Sequence, residues 1–327
     1  MHRSRHALRA VSRQLSTSAA PAQASTSTYT PPIKAGVLPA YDEAVAFIVR
    51  DREDKLKQLE DLKKQGAEQA VLDKLEVEAW SNDPETRWRA KNGQADLSKP
   101  VYRQLAQRAW RTQGDLAILM QRVTQMHVVP DLLPSISPSA DVRIQVGGET
   151  VEPGAFTMPA QSREGIEVSA QVYHPEERLY TLLVVDPDVP DESNQSFTSF
   201  AHLLIPNISL SATSPSSLPL SSAPSTLSYL PPHPQKGTPY HRYTVLLLEQ
   251  SSELSLAADS IAREGFSTRE FVEKNGLKPA GVSFFRQVWD KDVSMIYKEV
   301  LNAPEPRFGR PPKIDTYTNR KSKYGFV

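Results

Sequence analysis

Apolar residues in the first third of the chain are sparse and spaced for helices. Residues 41–65, YDEAVAFIVRDREDKLKQLEDLKKQ, lack Gly and Pro, and Leu56, Leu59 and Leu62 recur at near-helical intervals among Lys, Asp and Glu. So narrow a stripe predicts a long exposed helix rather than a core helix. Further helices are predicted over 68–80, 101–112 and 116–126. A narrow stripe on a charged helix packs on its own chain or seats on a partner, and spacing alone does not separate the two.

From about residue 141 the pattern changes. Short runs rich in Val, Ile, Leu, Tyr and Phe follow one another, namely VRIQV, IEVSAQV, LYTLLVVD, AHLLIP, RYTVLLLE and VSFFRQVW, separated by Gly, Pro, Asn and Ser. These read as strands. YTLLVV and YTVLLL are apolar throughout, which predicts central strands buried on both faces. Helical spacing returns in LAADSIAREG, STREFVEKNG and VSMIYKEVL, the second with a capping-box start at Ser267 and Glu270 and a stop at Gly276. The fold class is mainly β: a sandwich with peripheral helices, preceded by a helical extension.

Residues 208–234 are dominated by Ser and Pro and read as a mobile insertion inside the β domain, because the strands on either side need each other. The predicted layout is a leader over 1–32, a helical extension over 33–135, a β domain over 136–303 and an extended tail over 304–327.

The formal net charge is zero, with 38 basic and 38 acidic residues, but charge is segregated. Residues 1–41 carry +5, residues 304–327 carry +4, and the middle carries −9. The first 20 residues, MHRSRHALRAVSRQLSTSAA, are Arg-bearing, Ser-rich and free of acids, and Leu8, Val11 and Leu15 share a helical face. That is the profile of a mitochondrial transit peptide, with a disordered basic tail as the other reading. In the tail, Arg307, Arg310, Lys313, Arg320, Lys321 and Lys323 alternate with Phe308, Tyr317, Tyr324 and Phe326. Cations that neutralise phosphates, beside rings that stack on bases, make an RNA-contacting arm; the other reading is a solvated tail.

There is no Cys, so disulfides, thiolate metal sites and cysteine nucleophiles are excluded. No apolar run is long enough for a membrane-spanning helix. The sequence contains no GxGxxG, GxxxxGK[ST], HExxH or GxSxG, and no nucleophile and base pair stands out. The chain therefore reads as a non-enzyme without cofactor or metal.

Four pieces occur in order: DPDVP at 186–190, FAHLLIPNI at 200–208, KGTPYHRYTVLLLEQ at 236–250 and FSTREFVEKNGLKPAGVSFFRQVWD at 266–290. Together they resemble the phosphatidylethanolamine-binding protein (PEBP) family over roughly half the chain. The resemblance implies a PEBP-like β-sandwich with a small anion pocket at one end, formed by Asp186, His202, His241 and Tyr243. Imidazoles and a phenol can donate to an anion while a carboxylate orients a histidine. Against the family pattern, Phe200 and Ala201 replace an aromatic and a histidine, Pro206 interrupts a strand, and a rim glycine is missing. The pocket is thus vestigial or altered in selectivity.

A leader, a charged helical extension and a basic tail around this domain are similar to the layout of family members built into the large subunit of mitochondrial ribosomes. The implied function is a structural constituent in the mitochondrial matrix that touches large-subunit rRNA and neighbouring ribosomal proteins, not DNA or membrane. The alternative is a free mitochondrial regulator that binds anions or phospholipid headgroups.

Overall fold

The computed structural model describes residues 28–309 apart from 219, 221, 222 and 258–260. Most of the predicted leader, and the tail cations Arg310, Lys313, Arg320, Lys321 and Lys323, lie outside the described residues.

Six helical segments open the described chain: α1 (Pro39–Lys64), α2 (Gln69–Trp80), α3 (Pro84–Lys91), α4 (Pro100–Thr112), α5 (Asp115–Gln125) and the short α6 (Val128–Asp131). Proline starts α1, α3 and α4, in a first turn where its missing N–H has no intrahelical partner to lose. The pattern predicted α1, α2, α4 and α5 but not α3, whose sequence PETRWRAK has no apolar stripe. A cap nucleates it instead: the Asp83 carboxylate accepts from the Thr86 backbone N–H at 2.9 Å and is paired with Arg52. On α1, Leu59 is buried and Leu56 and Leu62 are half-buried, so the chain itself covers the narrow stripe, while Phe47 outside it is 68% exposed.

The β region forms two antiparallel sheets. Strands β1 (Asp141–Val146), β2 (Glu149–Val151) and β3 (Glu167–Gln171) are ordered β2-β1-β3. Strands β4 (Arg178–Asp191), β5 (Ser196–Leu210), β6 (His241–Glu249) and β7 (Lys278–Gln287) are ordered β5-β4-β6-β7. The unpredicted β2 is a three-residue return after a Gly147-Gly148 turn, both glycines at positive φ. The two apolar runs are indeed central, as β4 and β6.

The reason is a third layer. One face of the larger sheet, with Tyr180, Leu182, Val184, Val245 and Leu247, packs against the smaller sheet. The other face, with Leu183, Val185, Leu246 and Leu248, packs under Leu119, Val123, Val128 and Leu132 of α5, α6 and the chain after them. Side chains alternate between faces along a strand, so burial on both sides requires an unbroken apolar run.

Pro206 in β5 falls at a bulge. Residues 206 and 207 stand between the pairs Tyr180↔Ile208 and Leu182↔Ile205, and Asn207 takes φ +60. The proline's missing donor costs no ladder bond there.

Two expectations change. The residues described on either side of 258–260 are not helical. Ala201 donates to the Arg263 carbonyl and Phe266 to that of Ser199, so this segment lines the outer edge of β5. Bonding to an open sheet edge outweighs a weak helical period. The Ser/Pro insertion, expected to be mobile, packs where it is described. Leu218 joins the core between the sheets, Leu227 joins the core under the helices, and the backbone at 226–227 bonds to Leu204. Its few leucines decide this, not the serines around them.

After β3, the remaining helices are short: α8 (Thr268–Lys274), α9 (Lys291–Ile296) and, earlier in the chain, the single turn α7 (Pro159–Ser162). Ser267 Oγ accepts from Glu270 N at 3.4 Å, and Gly276 follows at φ +59. A π-turn over Tyr297–Leu301 continues α9 and places Tyr297 inward.

Candidate functional site

Strands β4 and β6 pair in register from Tyr180↔Glu249 to Val185↔Thr244, which sets Asp186 beside the start of β6. Alternation along β6 then divides the His-Arg-Tyr triplet. His241 and Tyr243 face the smaller sheet, and Arg242 faces the helices.

On the inner side, Asp186, His202, His241 and Tyr243 come together, none more than 2% exposed. His241 Nδ1 lies 2.7 Å from Asp186 Oδ2, and its Nε2 lies 2.9 Å from Thr238 Oγ1. The His241 and Tyr243 rings are stacked at 6.4 Å between centroids, and His202 meets Tyr243 edge to face at 5.2 Å. His233 completes the cluster at 5.1 Å from His202, and Tyr297 meets His233 at 5.4 Å.

The hydrogen bonds assign protons. His202 Nδ1–H donates to the Leu230 carbonyl at 2.9 Å, and His233 Nδ1–H to that of Pro231 at 2.8 Å. Burial, and for His202 also the neighbouring His233, holds both imidazoles below the ordinary histidine pKa, so they are neutral at pH 7. Each Nε2 therefore carries a lone pair, and an anion set against it meets an acceptor. Burial, reinforced by the Asp186 carboxylate, pushes the Tyr243 phenol far above its usual value. The Tyr243 hydroxyl interacts with that carboxylate without reaching satisfactory hydrogen-bond geometry.

Residues 145–285 match the family model "Phosphatidylethanolamine-binding protein". This segment is a PEBP domain. The chain is similar to the large ribosomal subunit protein mL38 of Schizosaccharomyces pombe, 27% identical over 248 residues that cover 74% of this chain and 80% of that protein. CEN-like protein 1 of Nicotiana tabacum is 29% identical over 162 residues, 48% of this chain and 86% of that protein. The phosphatidylethanolamine-binding protein structure from Plasmodium vivax superposes with a TM-score of 0.41 at 19% identity, covering 52% of this chain and 97% of that one.

On the outer side of the PEBP domain, Arg242 forms a clamp that the sequence reading missed. Its guanidinium engages Asp188 through Nε and a terminal nitrogen at 2.8 and 2.6 Å, Asp131 at 2.9 Å and the Met126 carbonyl at 2.7 Å. Burial alone would lower the Arg242 pKa, but Asp188 and then Asp131 raise it above the ordinary arginine value. The clamp fastens the α5–α6 junction to the DPDVP turn, where Asp188 N–H also donates to Asp186 at 2.9 Å. The middle Arg of His-Arg-Tyr and the second Asp of DPDVP were the available signals. His233, between prolines in PPHPQ, was a weaker one.

The C-terminal segment packs against the turn before β6. Phe308 N–H donates to the Lys236 carbonyl at 2.8 Å, and a Cβ on Gly237 would lie 2.0 Å from the Phe308 carbonyl oxygen. Only glycine fits there, at φ +94. Arg307, the one predicted tail cation among the described residues, bridges to Lys236.

A separate cavity of about 280 Å³ opens among α2, α3 and α4, lined by Trp80, Tyr102, Arg89, Lys99 and the acids Glu76 and Glu85, among others. Its mixed charges select no ligand class. Among the described residues no group of three or more His, Asp or Glu is placed to hold a metal ion, and no helix is long and apolar enough to cross a membrane.

Proposed function

We propose that this protein is a structural constituent of the mitochondrial large ribosomal subunit, located in the matrix and without enzymatic activity. The observation that carries the reading is the reach of the similarity to the large ribosomal subunit protein. It extends over 248 residues, well beyond the PEBP domain at 145–285, so it takes in part of the chain outside that domain. The tobacco relative matches over 162 residues only. The basic leader and tail add import and RNA contact to this reading, with large-subunit rRNA and neighbouring ribosomal proteins as partners.

The anion pocket is vestigial in this reading. The neutral, acceptor-bearing histidines and the near-complete burial of all four residues support that, and the free headgroup-binding regulator is correspondingly disfavoured. The test is sedimentation of mitochondrial lysate at low and high magnesium. Co-migration with large-subunit particles at both is expected, and a protein that never co-migrates ends the proposal. Substituting His241 and Tyr243 should spare translation wherever the variant folds, whereas truncation after Ala303 should impair assembly.

A further inference from the structure

At the same end of β6 and β7, on the outside, lies a stack that the buried cluster does not use. The Arg286 guanidinium sits 4.0 Å from the Phe156 ring centroid and 4.9 Å from that of Tyr240. The two rings meet edge to face at 5.9 Å. Backbone bonds hold residues 154–157 along β7, from Gly154 N to the Phe284 carbonyl, Arg286 N to that of Ala155 and Thr157 N to that of Arg286. Arg286 Nε adds a bond to the Gly154 carbonyl at 2.7 Å. The backbone that carries Phe156 is thus held on β7, yet Phe156 remains 56% and Tyr240 41% exposed, with Met158 at 63% beside Phe156 in sequence.

Further cations lie close to these residues along the chain. Lys236 Nζ lies 4.2 Å over the Trp289 ring, and the backbone of Lys236 pairs with that of Arg307 in an isolated parallel β-bridge. Among the described residues no carboxylate pairs with Arg286, Lys236 or Arg307. Glu305, close in sequence, is engaged by Trp289 Nε1 at 2.5 Å and Ser294 at 3.0 Å. Exposed rings beside cations that no described carboxylate neutralises suit a ligand that is both flat and anionic.

We propose that Phe156, Tyr240 and Arg286 form a stacking platform for a single-stranded segment of RNA, whose phosphates are met by Lys236 and Arg307. Bases in a duplex are stacked on one another and offer no free face, so the strand must be unpaired. The ribosomal reading supplies the source of the RNA, but the platform is tested without it.

The full chain is titrated with a labelled, unstructured RNA of about 12 nucleotides, within the range of known single-strand site sizes, and with a duplex of the same length. The double substitution Phe156→Ala and Tyr240→Ala should weaken single-strand binding at least about tenfold, as expected for the loss of base stacking. Phe156→Tyr with Tyr240→Phe should retain it. If the alanine variant does not fold, Phe156→Leu with Tyr240→Leu keeps the apolar bulk and removes the stacking face. A folded variant that binds single strands like the parent, or a parent that prefers duplex, overturns the platform. In isolated large-subunit particles, a photo-crosslinker at residue 156 should yield an RNA adduct. A protein adduct there overturns the platform and leaves the ribosomal proposal standing, whereas failure to co-sediment with stacking intact overturns only the latter.

Discussion

Tyr240 and Tyr243 lie three residues apart at one end of β6 and carry the same phenol into opposite surroundings. Tyr243 is fully buried between the sheets, in ring contact with His202, His241 and Phe285. Tyr240 is 41% exposed against Phe156 and Arg286. The inner set closes on itself: its histidines bond to backbone carbonyls and to Asp186, and it joins β4, β5, β6 and the rim. The outer set, with Phe156 and Arg286 held by backbone bonds along β7, keeps its rings exposed to water. Residues that identify a fold and residues free to meet a partner can therefore be sequence neighbours, separated by which side of the strand end they leave.

Several measurements would break or sharpen this contrast. Tyr243→Ala should cost about 3–5 kcal/mol in urea unfolding, the range for removing a buried aromatic, whereas Tyr240→Ala should cost less than about 1 kcal/mol. Equal losses would erase the distinction. Asp188→Ala, which strips one partner from the mostly buried Arg242, should cost about 3 kcal/mol by the same measurement. An effect below about 0.5 kcal/mol would show that Asp131 and the Met126 carbonyl hold the clamp alone.

The inner set also predicts a pH dependence. Burial depresses the His202 and His233 pKa values in the folded protein, while the unfolded chain takes up those protons near 6.5. Between the depressed values and 6.5 the unfolded state binds more protons, so stability falls as pH drops below about 6.5. The slope is at most about 1.4 kcal/mol per pH unit for each histidine. Melting temperature measured from pH 7 to pH 5 should fall, and His202→Gln with His233→Gln should flatten the curve. A rise on acidification would contradict the neutral assignment. Smallest of all, Tyr243→Phe should leave stability within about 0.5 kcal/mol, because the hydroxyl it removes lacks a well-formed hydrogen bond. A large loss would reveal a partner for that hydroxyl.

The sequence alone determined the elements with strong local signals. The apolar runs in 179–185 and 243–248, interrupted only by Thr181 and Thr244, required strands buried on both faces, and the resemblance carried by the four motifs pointed to the fold and to Asp186, His202, His241 and Tyr243, which the structure places together. Period and spacing are local properties, and they survive whatever the rest of the chain does. Tertiary structure decided what covers the second face of the larger sheet, since nothing in Leu119 or Val123 says which surface they will meet. It also decided that Arg242 reaches Asp131 across the sequence, that His233 joins the histidines, and that residues 261–266 line a sheet edge instead of forming a helix. Each of these depends on partners distant in the chain, where the gain from burial or pairing exceeds the weak local preference it overrides.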